Sequence, residues 1–288
     1  MLANEESNGR QDRWMRIDEG RDPTARHLGP PLGALHSLVF CIMATWVIGD
    51  IHGCAEELDE LIGQLSLNSE DCLISVGDLF HRGPDPTGVM DVFSAAGGEF
   101  ILGNHELRVL QRFGLDPKLA DASDRPALRE EFPKIEEEDL AGDGKRRCPI
   151  PEDRRVDFLR FLQGHSGFFL ENTQIPGAGP TRDGRPWCVV HAGLVPGKAP
   201  QDSKPEELVS MRRLSMRGGP YWYEVYSGSI LVLFGHTPSK TVRARHTGGR
   251  LTSLGVDTGC VYGGELTAYC PETEDIVKVM AKQKYASK

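Results

Sequence analysis

Apolar, β-branched runs recur along the chain, and the first three each end in a glycine-containing polar turn. Trp46-Val47-Ile48 leads into Gly49-Asp50-Ile51-His52-Gly53, and Leu73-Ile74-Ser75-Val76 into Gly77-Asp78-Leu79-Phe80-His81-Arg82-Gly83. Phe100-Ile101-Leu102 leads into Gly103-Asn104-His105-Glu106. The pattern predicts three strands, each presenting polar side chains at one edge of a sheet. Residues 55–67 carry Leu58, Leu61, Ile62 and Leu65 at helical spacing, and residues 86–96 repeat that pattern before the third strand. Right-handed β-α-β crossovers would then make the three strands parallel neighbours. A further helix is expected over 106–113.

From 114 to 155 the composition turns charged, with Glu130-Glu131, Glu136-Glu137-Glu138-Asp139 and a turn at Gly142-Asp143-Gly144. Charge runs of this kind read as solvated helix faces, and an insertion after the third motif lies where it can cover the sheet edge as a cap. Residues 154–163, with Val156, Phe158, Leu159 and Leu162, predict an amphipathic helix returning to the core. The second half is strand-rich, with runs at 168–170, 187–190, 230–234, 251–256, 265–270 and 276–280, and a hairpin turn at Gly184. Residues 1–33 are polar and charged, and the segment 1–43 is expected to be a disordered extension. A natural start at Met43, with 1–42 dispensable, is an equal alternative.

At 288 residues, with 39% hydrophobic content, the chain suits one large α/β catalytic domain with an inserted cap. The apolar run 34–48 is interrupted by His36 and Ser37 and is too short to span a membrane. A net charge of −9 argues against a stable nucleic-acid complex, because phosphate backbones need a basic surface. It does not forbid phosphate chemistry, since metals and a few arginines supply positive charge locally. Seven cysteines, odd in number and without a CxxC pair, argue against a disulfide framework or a thiolate zinc site. The expected compartment is the reducing cytoplasm.

Each Asp-Gly or Gly-Asp turn alone is ordinary loop chemistry. Three in order, each closing a strand, place Asp, His, Asp and Asn together at the carboxyl edge of a sheet, where α/β proteins bind ligands. These oxygen and imidazole donors suit manganese, iron or zinc.

GDxHG, GDxxxRG and GNHE in this order resemble the phosphoprotein phosphatase superfamily of binuclear metallophosphoesterases. His191-Ala192-Gly193 and Gly235-His236-Thr237-Pro238 extend the match. The run 257–267, Asp-Thr-Gly-Cys-Val-Tyr-Gly-Gly-Glu-Leu-Thr, is similar to the C-terminal hairpin of bacterial diadenosine tetraphosphatases and their PrpE-like relatives. The resemblance covers 44–280 and implies a four-layer αββα sandwich of two mixed sheets, with a helical cap over 114–165 and a tail at 281–288. It further implies two divalent ions, manganese first among iron, zinc, cobalt, nickel and magnesium. Asp50 and His52 would bind one ion, Asp78 would bridge, and Asn104, His191 and His236 would complete the other. Gly53 and Gly103 would let the backbone pass close to them.

The resemblance makes His105 the leaving-group acid and Arg82 a clamp on phosphoryl oxygens. A second phosphate arginine is expected at Arg212 or Arg213, with Arg212 preferred. Many relatives carry an Asp where this chain has His81, which could accept a hydrogen bond from His105 but supplies no compensating charge. Tyr262 would either stack on a base near the metals or pack in its hairpin. His165 and His246 lie outside any motif and read as surface or loop residues. The function implied first is hydrolysis of dinucleoside polyphosphates such as diadenosine tetraphosphate. Alternatives are a protein serine/threonine or tyrosine phosphatase, a broad phosphatase or RNA 5′-end pyrophosphatase, and an inactive phosphate-binding module.

Overall fold

The computed structural model describes residues 43–115, 135–140, 148–165, 167–215 and 218–287. The expected extension over 1–43 lies outside these residues except for Met43, as do the turn at 142–144 and much of the cap. Alternation along the first strand sets the layering. In β1 (Thr45–Ile48) Trp46 and Ile48 face one apolar cluster and Val47 faces another, and in β2 (Cys72–Ser75) Leu73 and Ile74 divide the same way. A strand buried on both faces needs apolar residues at every position, which is why these runs read as continuous.

Helices α1 (Ala55–Leu65) and α2 (Pro86–Ala95) carry the chain from β1 to β2 and on to β3 (Glu99–Phe100). Both strand pairs are parallel, as the crossover pattern predicts. The α1 helix ends at Ser66, which adopts the left-handed conformation, two residues earlier than the apolar spacing suggests. The α2 helix starts on a built cap: the Asp85 carboxylate accepts from the Gly88 N–H at 2.7 Å, with Pro86 in the first turn. The third strand is only two residues long, and the Leu102 N–H pairs instead with the Gly167 carbonyl. Helix α3 (Asn104–Arg112) begins within the third motif.

Within the insertion, α4 (Glu137–Leu140) and α5 (Arg155–Gly164) are described. Ile135, Leu140, Cys148 and Ile150 join Phe158, Leu159 and Leu162 of α5 in the apolar cluster behind β1. The second sheet is built from β4 (Phe169–Glu171), β5 (Trp187–Val190), β6 (Leu231–Phe234), β7 (Arg243–Thr247) and β8 (Arg250–Gly255). Its order is β4-β5-β6-β8-β7, with β5, β6 and β8 parallel. Two short helices, α6 (Pro205–Ser210) and α7 (Trp222–Val225), cover its outer face over Cys188, Val190, Val232 and Phe234. Strands β9 (Glu265–Tyr269) and β10 (Ile276–Met280) return to the first sheet, whose order is β10-β9-β1-β2-β3. Three apolar layers between helices, sheet, sheet and helices make the expected αββα sandwich of two mixed sheets.

The expected tail is docked. Buried Glu57 of α1 accepts at Oε1 from the Lys282 N–H at 2.7 Å and the Tyr285 hydroxyl at 2.8 Å. Tyr285 and Ala286 also donate their N–H groups to the Val261 carbonyl. A buried carboxylate that loses a donor carries an uncompensated desolvation cost. Tyr285→Phe is therefore expected to lower stability by about 1 kcal/mol, read as a reduced midpoint in urea unfolding. An unchanged midpoint would show that the hydroxyl contributes nothing to holding Glu57.

Candidate metal centre

Six strands end at one edge, and each hands over one polar residue just beyond its last residue. Asp50 follows β1, Asp78 follows β2, His191 follows β5, His236 follows β6 and Asp257 follows β8, while Asn104 opens α3 after β3. The two sheets are stitched together there by polar contacts. The His191 ring lies 2.8 Å from the Val76 carbonyl through Nδ1, and the His236 N–H donates to the Asp50 carboxylate at 3.0 Å.

The donors fall into two triads, Asp50–His52–Asp78 and Asp78–His191–His236, each with its ligand atoms within 4.8 Å of one another. Both contain Asp78. Its Oδ2 lies 3.5 Å from His191 Nε2, 3.8 Å from His52 Nε2 and 3.9 Å from His105 Nε2. Because Nδ1 of His191 donates to a carbonyl, its Nε2 presents a lone pair. That lone pair faces Asn104 Oδ1 at 3.3 Å and His236 Nδ1 at 3.2 Å. A convergence of acceptors on one point fits a cation.

Two glycines permit the approach. A Cβ on Gly235 would lie 2.1 Å from Asp50 Oδ1, and one on Gly103 would lie 2.2 Å from Asp78 Oδ1.

Burial governs the electrostatics. It would push the Asp78 carboxyl up, yet the His191, His105 and His52 imidazoles and Arg82 hold it well below the usual carboxylate range. Asp50 is raised by burial and by the charges of Asp257 and Asp78. Burial lowers all three imidazoles; Arg82 adds to this at His52 and His191 at His236. The Asp78 charge pulls the other way at each ring, so burial and the carboxylate compete over these protons.

Arg82 rests its guanidinium against His52 Nε2, and its Cζ lies 5.8 Å from the centre of the Tyr262 ring. Tyr262 closes a short turn and packs partly into the core cluster, so it both faces the arginine and fills the hairpin. Arg212 donates to the His236 carbonyl at 3.1 Å, whereas Arg213 turns away to lie over Tyr221. His81 is fully buried, 4.7 Å ring to ring from His105, with Nε2 2.8 Å from the carbonyl of Leu140 at the end of α4. His165 is half-buried and stacks on Phe100, a packing role rather than a surface one, while His246 is exposed on β7.

Two further residues belong to the edge. Glu106 accepts from the N–H groups of Asp78, Leu79 and Gly103 at 2.9, 3.0 and 3.1 Å, tying the second motif to the third. Asp257 is buried, its carboxyl pushed up to about 7 by burial, with the Asp78 charge adding to this. The signal for it was present in the sequence, since it follows an apolar run as Asp50 and Asp78 do. A third group, Cys54, Glu57 and Cys260, lies within 4.8 Å of itself. The hydrogen bond to Cys260 and burial push the Cys54 thiol far up, which keeps it from being a thiolate ligand.

A protein of Halalkalibacterium halodurans named bis(5'-nucleosyl)-tetraphosphatase PrpE, asymmetrical, is 30% identical over 268 residues, covering 84% of this chain and 95% of its own. Its namesake in Oceanobacillus iheyensis is 26% identical over 261 residues, covering 83% of this chain and 93% of its own. A crystal structure provisionally named as a diadenosine tetraphosphatase superposes with a TM-score of 0.60 at 25% identity, covering 84% of this chain and 95% of that one. The profile of calcineurin-like phosphoesterases matches residues 43–240, and the chain belongs to that family of phosphohydrolases.

Proposed function

We propose that the chain hydrolyses dinucleoside polyphosphates, diadenosine tetraphosphate among them, with two divalent ions held at the joined sheet edges. The observation that carries this reading is the pair of donor triads sharing Asp78. The substrate class is supported by the names of relatives matched over most of their length. Asp50 and His52 would hold one ion, Asn104, His191 and His236 the other, and Asp78 both. Calcineurin-like phosphoesterases use divalent metals, and manganese suits this oxygen and imidazole set. Bound ions supply positive charge to the phosphoryl oxygens and a nucleophilic water at neutral pH.

The chain's own residues do the rest. Arg82 and Arg212 grip the oxygens of the phosphate chain with planar donor forks. His105, beside Asp78, gives its proton to the departing oxygen as the phosphorus–oxygen bond breaks. Glu106 fixes Asp78 by gripping its N–H. His81 donates a hydrogen bond through Nε2–H to the Leu140 carbonyl and brings no negative charge to His105. A serine alkoxide leaving group needs a strong acid beside it, whereas a nucleotide phosphate leaves as a stabilised anion. The histidine in place of a carboxylate therefore favours anhydrides over phosphoserine.

Asp78→Asn is expected to abolish turnover and to deplete both ions in elemental analysis; full activity with unchanged metal content would refute the shared-ligand role. His81→Asp should raise kcat on an alkyl phosphomonoester relative to diadenosine tetraphosphate by roughly tenfold, and an unchanged ratio would end the leaving-group argument. In the metal-free protein burial raises the Asp50 carboxyl and pushes that of Asp257, whose charge acts on Asp50, up to about 7, so a proton held by this pair competes with a cation at Asp50. The lowered histidines add no competition until more acid conditions. Apparent manganese affinity should weaken steadily from pH 8 to pH 6 in a direct titration, as expected for proton release on binding; a flat response would contradict the raised carboxyls.

A further inference from the structure

Beside the metal edge, Tyr221, Tyr223 of α7 and Phe234 of β6 form an aromatic ladder that the chemistry above does not use. Arg213 and Tyr221 pair as an antiparallel bridge, and the Trp222 N–H donates to the Arg212 carbonyl. Neighbouring residues in extended chain point to opposite sides. Arg212 accordingly reaches the His236 carbonyl, while the Arg213 guanidinium lies 3.8 Å above the Tyr221 ring. Tyr221 stacks on Tyr223 at 5.1 Å and 17°, and Tyr223 stacks on Phe234 at 5.2 Å and 22°. Phe234 closes β6, two residues before His236. The ladder therefore runs from the strand that delivers a metal-edge histidine out to an exposed guanidinium.

Its inner rungs are used up. Tyr221 is packed both by Arg213 and by Tyr223, so the exposed guanidinium of Arg213 is what the ladder presents to solvent. That plane is held in place by the donation from Nη1 to the Gly219 carbonyl at 2.7 Å. Arg243 braces the ladder from the side, 5.8 Å from both tyrosine rings, giving hydrogen bonds to the Tyr223 hydroxyl and to the Pro238 carbonyl. The hydrogen bonds of Arg212, Arg213 and Arg243 go to carbonyls and one hydroxyl, and among the described residues none of the three forms an ion pair. Three guanidiniums without a carboxylate partner among the described residues suit an anionic ligand in a chain of net charge −9.

We propose that the outer face of Arg213, backed by Tyr221 and Tyr223, is the stacking shelf for a purine base of the substrate. Arg212 holds the phosphate chain between that shelf and the metal edge. A guanidinium plane supported by an aromatic ring stacks on a base without reading its edge, so the shelf accepts any purine nucleoside polyphosphate. The proposal rests on the function proposed above and names how the nucleoside is recognised.

The test uses the manganese-loaded full chain and compares ATP with inorganic tripolyphosphate as competitive inhibitors of aryl phosphate hydrolysis. The two share a triphosphate chain and differ in the nucleoside, whose ester also removes one ionisable oxygen from the charged chain. In the wild type ATP should inhibit roughly tenfold more tightly, as one stacked base requires. Arg213→Lys keeps the charge and removes the stacking plane, so it should bring the two inhibition constants together; Tyr221→Phe should leave their ratio as it is in the wild type. A Lys variant that retains the wild-type ratio overturns the shelf, and so does a wild type that does not distinguish the two inhibitors. Failure of the underlying reading is separate: it is a wild type that hydrolyses phosphopeptide but not diadenosine tetraphosphate.

Discussion

The structure depends on one buried carboxylate placed where two sheets meet. Asp78 is almost wholly enclosed, yet stays ionised because three imidazoles and a guanidinium surround it. Its backbone is strained to put it there: Asp78, His52, Arg82 and His236 all adopt positive φ, at 55°, 53°, 81° and 65°. Each such residue costs about 1–3 kcal/mol and persists only where its surroundings over-determine it. They do so here. The His52 N–H donates to the Asp78 carbonyl, Gly53 to that of Leu79, and Asp78 and Leu79 donate to Glu106. The three motifs are therefore one object, since each fixes the backbone of another.

The layers explain why the strained edge holds. Six strand ends must arrive in register at one edge, and the register comes from apolar faces locked between layers. Val47, Ile74, Trp187, Val189, Leu231, Leu233 and Leu254 fill the middle layer together with Val76, Ile101, Val256 and Tyr269. A slip of one residue in any of these strands would send its core residue outward and its terminal Asp or His off the edge. Packing thus decides the chemistry even though no packed residue takes part in it.

Much of this was legible because the decisive elements are strands buried on both faces. A run such as Trp187–Val190 or Leu231–Phe234 cannot be mistaken for a solvated segment, and the residue that follows it inherits its position. What was not legible follows from the same physics. β7 reads Arg-Ala-Arg-His-Thr, an edge strand facing solvent, and has no apolar pattern to declare it. α6 and α7 are six and four residues long, too short for helical periodicity. The third strand shrank to two residues because Leu102 pairs with Gly167, a partner far along the chain that local pattern cannot reveal. Glu106 stood inside a quoted motif, yet its task is to hold peptide N–H groups, and side-chain chemistry alone gives no hint of that. Asp257 shared the strand-end signal of Asp50 but sat in a run read for its aromatic residue.

The acidic composition and the phosphate chemistry are reconciled by distance. At physiological salt, charge is screened over about 8 Å, so carboxylates spread over the helices scarcely affect a ligand at the sheet edge. What the ligand meets is local: Arg82 over Tyr262, Arg212 on the His236 carbonyl, and Arg213 and Arg243 around the tyrosine ladder. Arg212, Arg213 and Arg243 are oriented by hydrogen bonds to carbonyls and one hydroxyl, neutral acceptors that leave their charge in place. On the function proposed above, the positive charge a short polyphosphate needs is therefore supplied by these few guanidiniums and not by the chain as a whole.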